Sequence, residues 1–289
     1  MRIGFQVDLE AKGGWNLQEL QATKAFEEGT DAVRRGFRVI REQRIDDPTA
    51  YDMVGFFGVT NSRLIRECQE KKVPFLYFDK AYNRTKGWWK MSVCAHHPTR
   101  FLNRLSCPDN RRKVQRWEYQ PWRKLTPNGH ILLAGSSAKY HLLYELPHPT
   151  EYWTEIVAQL KAVTDRKILY RPKKSWREAT PIAGTEFSKA NQIQDDLKGA
   201  HCMITHGSNA CFEALIEGVP SIVLGDGITA PISSLNLSKS NVDIPYECYK
   251  TSRDMILNNL AYFQWHVAEL RTGIFWDHVE KCLEIQKSL

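Results

Sequence analysis

Four residues at one turn carry the clearest chemical signal in this sequence. His206, Gly207, Ser208 and Asn209 stand between the short apolar run Cys202–Thr205 and a segment whose small and apolar residues recur at Cys211, Ala214, Leu215 and Gly218. The run predicts a buried strand, and the recurrence predicts a helix with a narrow face of small residues that lies close to a sheet. Ser208 or Asn209 suits the helix N-cap, with Glu213 in the following turn. Gly218 and Pro220 end the helix and Ser221–Leu224 supplies a second buried strand, so the unit reads as a parallel β-α-β crossover. The backbone N–H groups of Ser208, Asn209 and Ala210, two small polar side chains and the positive end of a helix dipole form an anion site of a size for a phosphate.

Other turns carry groups of the same kind. Gly135, Ser136 and Ser137 follow the apolar run His130–Ala134, and so make a second small-residue turn able to approach a phosphate or a ribose. Arg171, Lys173 and Lys174, with Pro172 among them, directly follow the apolar run Ile168–Tyr170 and are expected to act as a phosphate clamp. Asp8 and Asp79 each close a predicted strand. The pair His96 and His97 would face opposite ways on a strand, so that at most one faces a site.

The elements that position these groups alternate. Strands are expected at Met1–Val7, Phe37–Ile40, Tyr51–Val59 and Val73–Phe78, with helices over about Trp15–Arg35 and Ser62–Lys71 between them. That order predicts an open parallel sheet, and ligands of such sheets gather at the carboxyl ends of the strands, where Asp8 and Asp79 fall. Gly13 and Gly14 lack the spacing of a dinucleotide fingerprint. A linker is expected near Pro121–Asn128. A second strand and helix series follows at His130–Ala134, Glu151–Val163, Ile168–Tyr170 and the unit already described, with Asn191–Leu197 helping to pack the sheet. The loop after Gly225, beginning at Asp226, is placed to touch a ligand.

Composition narrows the class. At 289 residues the chain can hold one large α/β domain or two smaller ones, of which two are expected. With 42% hydrophobic and 25% charged residues it has the makeup of a soluble globular protein, and no apolar run reaches the roughly 20 residues of a membrane helix. The N-terminus is too soon polar for a leader, which predicts a cytoplasmic protein. Seven widely spaced cysteines with no C-x-x-C pair argue against a disulfide framework and a zinc site, and are expected reduced and mostly buried. The net charge of +7 is concentrated: residues 80–124 carry +10 in 45 residues, leaving the remainder at −3. In that segment the cations interleave with Tyr82, Trp88, Trp89, Phe101, Trp117, Tyr119 and Trp122, a pattern suited to neutralising phosphates and stacking bases, although some of these aromatics would equally serve a core.

His206-Gly207-Ser208-Asn209, with Glu213-Ala214 and Gly218-Val219-Pro220, resembles the donor-site segment in the C-terminal domain of GT-B glycosyltransferases, especially those of the capsular polysaccharide type and phage-encoded, DNA-modifying enzymes. A second segment, Leu260–Trp265 with Glu269–Gly273 and Trp276, resembles the C-terminal end of phage glycosyltransferase-like proteins. The two together cover about half the chain, mainly residues 168–280. Lys173 stands where the capsular enzymes usually have a histidine.

The resemblance implies an α/β fold of two Rossmann-like domains with a cleft between them: an acceptor-binding domain over 1–125 and a nucleotide-sugar-binding domain with C-terminal helices over 126–289. It implies glycosyl transfer from a nucleotide sugar, a UDP-sugar first, with no cofactor or metal required. Arg171, Lys173, Lys174, Ser136, Ser137, Gly207, Ser208, Asn209 and Glu213 would hold the donor, with His206 near the nucleotide. Asp79 is the expected base, with Asp8 and His97 as alternatives. The basic segment points to a hydroxymethylated pyrimidine in phage DNA as acceptor, flipped from its duplex and met by Arg84, Lys86, Trp88, Trp89, Arg104, Arg111, Arg112 and Lys113. The alternatives are a capsular or lipopolysaccharide-type glycan acceptor, a non-catalytic nucleic-acid-binding protein on the same scaffold, and a sugar-nucleotide epimerase.

Overall fold

A computed structural model describes residues 1–82, 84–105, 112, 117–124, 126, 128–245 and 253–289. The chain divides into two compact units, one of Met1–Arg112 with Asn258–Leu289 and one of Lys113–Leu257.

In the first unit β1 (Arg2–Gln6) lies between β2 (Arg38–Glu42) and β3 (Met53–Phe57), and β3 pairs with β4 (Phe75–Lys80), all in parallel. The 20-residue helix α1 (Gly14–Val33) makes the crossover from β1, and α2 (Ser62–Glu70) the one from β3. The sheet is not wholly parallel as expected, because β5 (Trp88–Val93) runs antiparallel to β4. Only residues 81–87 connect the two, too few for a parallel crossover. β5 escapes a periodicity search because both its faces are covered: Trp89, Lys90, Met91, Ser92 and Val93 are all buried. Helix α3 (Thr99–Leu102) follows.

The second unit has a five-stranded, fully parallel sheet. Its strands are β6 (His130–Ala134), β7 (Ile168–Arg171), β8 (Glu186–Phe187), β9 (Ala200–Thr205) and β10 (Ser221–Val223), in the order β10-β9-β6-β7-β8. The helices α4 (Ala138–Leu143), α5 (Pro149–Val163), α6 (Ile193–Leu197) and α7 (Ala210–Ile216) lie in its connections, and α8 (Lys239–Asp243) follows its last strand. Trp153, Ile156, Val157 and Leu160 of α5 bury themselves against Ile131, Leu133, Ile168, Tyr170 and Ile204 of the sheet. Gly218 ends α7 with φ +70°, and a side chain there would meet the Pro121 carbonyl at 2.1 Å.

The C-terminal segment corrects the expected division at residue 125. Helix α9 (Arg253–Leu260) crosses the boundary between the units. Then β11 (Gln264–His266) pairs antiparallel with β5, and α10 (Val267–Thr272) and α11 (Trp276–Lys287) complete the first unit rather than the second. The reason is packing. Phe275 stacks on Phe26 at 4.8 Å, the Trp276 indole donates to Thr30, and Gly29 lets α1 approach the backbone of α10. Cys68, Cys202, Cys211 and Cys282 are buried, while Cys107 and Cys248 lie outside the described residues. Among the described residues no helix is long and apolar enough to cross a membrane.

A Cβ at position 29 would lie 1.9 Å from the Leu270 carbonyl oxygen. Gly29→Ala gains about 1 kcal/mol of helix propensity, but the overpacking against backbone costs more, so a net loss of about 1–3 kcal/mol is expected. Urea unfolding measures it, and an unchanged midpoint would show that α10 does not pack on α1.

Candidate functional site

The strand order of the second unit reverses between β6 and β9, since β7 and β8 lie to one side and β9 and β10 to the other. The loops leaving the carboxyl ends of two such neighbours diverge, which leaves a crevice where parallel sheets take their ligands. Ser136 and Ser137 leave β6 there, and His206 to Asn209 leave β9.

Thr205 joins the two strand ends. Its hydroxyl donates to the Ala134 carbonyl (2.9 Å) and accepts from the Ser208 N–H (3.2 Å). Ser208 Oγ in turn accepts from the Ala210 N–H at 3.3 Å. The N–H groups of Ser208 and Ala210, expected to be open to an anion, are therefore used within the turn, and Asn209 has helical angles and makes no side-chain cap. What remains open is side-chain chemistry. Ser136 Oγ and Asn209 Oδ1 are buried with no hydrogen-bond partner, and so is the Tyr170 hydroxyl below the Gly135 turn. Ser137 is the N-cap of α4 and Glu213 stands in the first turn of α7.

Gly207 admits no side chain: a Cβ would lie 2.1 Å from the Asp226 carbonyl oxygen and 2.2 Å from the Tyr140 hydroxyl. At Gly225 a Cβ would strike the His206 ring, 2.1 Å from Nε2. Tyr140, Tyr144 and Tyr152 surround that ring with centroids at 6.0, 6.2 and 5.4 Å. Tyr152 is bonded to Nδ1 at 2.7 Å, and the Tyr144 hydroxyl donates to Asp226 at 3.0 Å. Burial pushes His206 down to about 4, with His141 adding to the effect, so the imidazole is neutral at physiological pH. Burial likewise raises the tyrosines, Tyr152 to about 12.

Arg171 does not join the expected clamp. Its side chain, 14% exposed, is paired with the 6%-exposed Asp196 at 2.5 Å and also donates to Ser188 and to the carbonyls of Ala190 and Asn191. A buried guanidinium requires such a partner, and Asp196 of α6 supplies it. Lys173 and Lys174 are exposed beyond it.

In the first unit, Asp79 closes β4 and accepts from the Tyr77 hydroxyl (2.9 Å) and the Lys80 N–H (2.7 Å). Asp8 is tied into its loop by Asn16 (3.0 Å) and the Glu10 N–H (3.1 Å), bonds that stabilise its charge and lower its pKa. Glu19, one turn into α1 after Trp15, has its pKa raised to about 7 by burial, with the charges of Asp79 and Asp8 adding to the rise. His96 and His97 sit in a bend after β5 instead of a strand. Their rings are 4.1 Å apart and both are buried, so the expected opposition of the two does not hold.

The basic segment is divided between core and surface. Trp89 is buried against Trp15 and Phe57. The Lys90 ammonium, fully buried, lies over the Tyr77 and Tyr82 rings, and Trp88 pairs with His266 across β5 and β11. Arg112 is ion-paired with Glu269 (2.9 Å) and lies over Trp265. Trp89 and Arg112 thus hold the fold, correcting their expected contact with an acceptor. Arg84, Lys86 and Arg104 are exposed, and Arg111 and Lys113 lie outside the described residues.

The sequence did not single out Glu19, Tyr140, Tyr144 or Tyr152, nor Asp196 as the partner of Arg171, while Asp226 lies in the loop expected to touch a ligand. Only Tyr140 and Tyr144 carry a local signal, an i, i+4 aromatic pair just after a small-residue turn.

No protein-family model matches the sequence, and no curated protein matches it. Among solved structures the chain is similar to two from Thermosulfurimonas dismutans. One is a KpsC beta Kdo 2,4 transferase, with TM-score 0.56, 14% identity and 98% of both chains covered. The other is a KpsC beta Kdo 2,7 transferase, with TM-score 0.54, 11% identity and 99% of both chains covered. At that identity the likeness concerns the fold, which is the α/β class of two Rossmann-like domains found in GT-B glycosyltransferases.

Two outcomes follow. Asp196→Ala leaves the Arg171 charge buried and unpaired, so a loss of about 3–5 kcal/mol of stability is expected, with Lys174→Ala near neutral; equal effects would remove the structural role of the pair. Glu19 binds its proton more tightly folded than unfolded, so its contribution to stability is present at pH 4.5 and is lost as pH rises to about 7. Glu19→Gln is therefore expected to stabilise the protein by about 1 kcal/mol at pH 8, after allowance for solvent screening, and not at pH 4.5, as read from thermal unfolding at the two pH values. Equal shifts at both pH values would contradict the raised pKa.

Proposed function

We propose that this chain is a glycosyltransferase that moves a sugar from a nucleotide sugar to a hydroxyl of a glycan. The observation that carries the reading is the pair of buried, unpartnered side-chain groups, Ser136 Oγ and Asn209 Oδ1, on the loops that leave β6 and β9 at the switch point. A buried polar group without a partner costs about 1–3 kcal/mol. Its presence in a ligand crevice supports a bound group that satisfies it.

In this reading the diphosphate of the donor takes the hydroxyls of Ser136, Ser137 and Ser208 and the amide of Asn209, which can turn to present Nδ2. Lys173 and Lys174 supply positive charge, and neutral His206 donates a hydrogen bond. The acceptor oxygen bonds to the anomeric carbon as the bond from that carbon to the phosphate oxygen breaks. These groups take up the charge that develops on the leaving phosphate, and stabilising it is the main task of catalysis. The acceptor proton passes to the Asp79 carboxylate, with Glu19 in the same group of acids.

Two structures of like fold are Kdo transferases, which favours a glycan acceptor. The commitment of Trp89, Lys90 and Arg112 to the first unit's own packing weighs against a base-stacking platform for DNA. UDP-sugars are the first donors to test, beside CMP-, GDP- and dTDP-sugars.

Each donor, incubated with a capsular-type glycan, hydroxymethylated DNA, unmodified DNA or no acceptor, is followed by mass spectrometry. Sugar transfer to the glycan alone is expected. Transfer to DNA would make the acceptor a nucleic acid, donor turnover without acceptor would make the chain an epimerase or hydrolase, and thermal stabilisation by duplex DNA with no response to any nucleotide would make it a binding protein. Ser208→Leu is expected to weaken donor binding at least about tenfold by calorimetry, the worth of one charge-assisted hydrogen bond, with an unchanged circular dichroism spectrum. Unchanged affinity would place the donor elsewhere.

A further inference from the structure

Tyr152 meets His206 across two elements, one on α5 and the other beyond the end of β9, at 2.7 Å between the hydroxyl and Nδ1. The hydroxyl has no other hydrogen-bond partner among the described residues: with the phenol as donor its proton has Nδ1 as acceptor, and the converse bond, from Nδ1–H to the phenol oxygen, would leave that proton with no acceptor among them. A ring that accepts at Nδ1 and is neutral carries its own proton on Nε2. That nitrogen has no hydrogen-bond partner among the described residues. It lies against Gly225, where any side chain would occupy its position.

The neighbours reinforce one protonation state. Among the described residues, the rings of Tyr140 and Tyr144 of the α4 region and of Tyr152 of α5 face the imidazole, with His141 packed on Tyr152 and Asp226 of the loop after β10 bonded to Tyr144. Asp226, the one acid among them, is engaged by the Tyr144 hydroxyl instead of the imidazole. His141 keeps its own proton on Nδ1, bonded to the Pro147 carbonyl at 2.7 Å, so it offers His206 no negative partner.

We propose that Tyr152 is a positioning residue: its hydroxyl holds His206 as the neutral tautomer with the proton on Nε2, so that His206 meets an anionic oxygen of the nucleotide donor as a directed hydrogen-bond donor. The inference rests on the donor-site reading given above and names the residue that sets the state of its histidine. An uncharged donor of this kind keeps the same strength across the physiological pH range. Burial, which disfavours the imidazolium down to about pH 4, agrees with it.

The experiment reads the tautomer directly. In wild-type protein without ligand, long-range nitrogen–proton correlation spectra at pH 5.5, 7 and 8.5 are expected to show the His206 Nδ1 shift of an unprotonated nitrogen and the Nε2 shift of a protonated one, unchanged over that range. In Tyr152→Phe the two shifts are expected to move toward each other as the tautomers mix, and affinity for UDP and CMP by calorimetry to fall about tenfold, the worth of one hydrogen bond to a charged group. A protonated Nδ1 in the wild type overturns the proposal, and this result needs no variant to fold. An unchanged tautomer and affinity in Tyr152→Phe overturns it too. The expected wild-type tautomer with no binding of any nucleotide would instead sink the donor-site reading and leave the tautomer assignment standing.

Discussion

The turn after β9 is pressed against the loop after β10 so closely that neither side has room for a β-carbon. Gly207 meets the Asp226 carbonyl and the Tyr140 hydroxyl, and Gly225 meets the His206 ring. This contact fixes the imidazole, brings Asp226 to the tyrosines and leaves Ser208 and Asn209 at the crevice. Interiors packed at crystal-like density transmit a displacement of one atom to its neighbours, so the polar groups of this edge keep their places only while both glycines do. Thr205 adds the second restraint by tying the ends of β6 and β9 together through one hydroxyl.

The first unit shows the same dependence of charge on packing. Its cations are placed by aromatic rings: Lys80 over Trp15, Lys90 over Tyr77 and Tyr82, Arg112 over Trp265. Such contacts give each cation an electrostatic partner in a ring face, to which Arg112 adds its ion pair with Glu269. They also explain why a segment of +10 does not become a uniform basic surface. Among the acids, burial first and the charges of Asp79 and Asp8 second make Glu19 hold its proton to near neutrality.

Much of the architecture was legible in the sequence because it is local. The run Cys202–Thr205, the breaker Gly218 and the run after Pro220 specify a β-α-β unit by themselves, and the structure contains it as β9, α7 and β10. The alternation in the first 80 residues specified four of the first unit's strands. The other two, β5 and β11, were not legible, because a strand buried on both faces loses its alternation and a three-residue strand never had one. Nor was the return of the C-terminal segment to α1, which hangs on Gly29, Thr30 and Phe26 meeting residues more than two hundred positions away. The site divides in the same way. Turn chemistry marked Ser136, Ser208, Asn209 and His206 as candidates and the loop after Gly225 marked Asp226, whereas Tyr152 reaches the His206 ring from a helix whose sequence says nothing of it. Arg171 had the right neighbours in sequence and the wrong partner in space, since Asp196 lies on α6, 25 residues on.

The central claim is that the switch-point edge of the second sheet takes a nucleotide diphosphate. Mapping backbone amide shifts of the whole chain during titration with a nucleoside diphosphate tests it most directly. The largest saturable shifts are expected at Ser136, Ser137, Lys173, Lys174 and His206 to Asn209. Shifts confined to the first unit, or none at all at millimolar nucleotide, would contradict it.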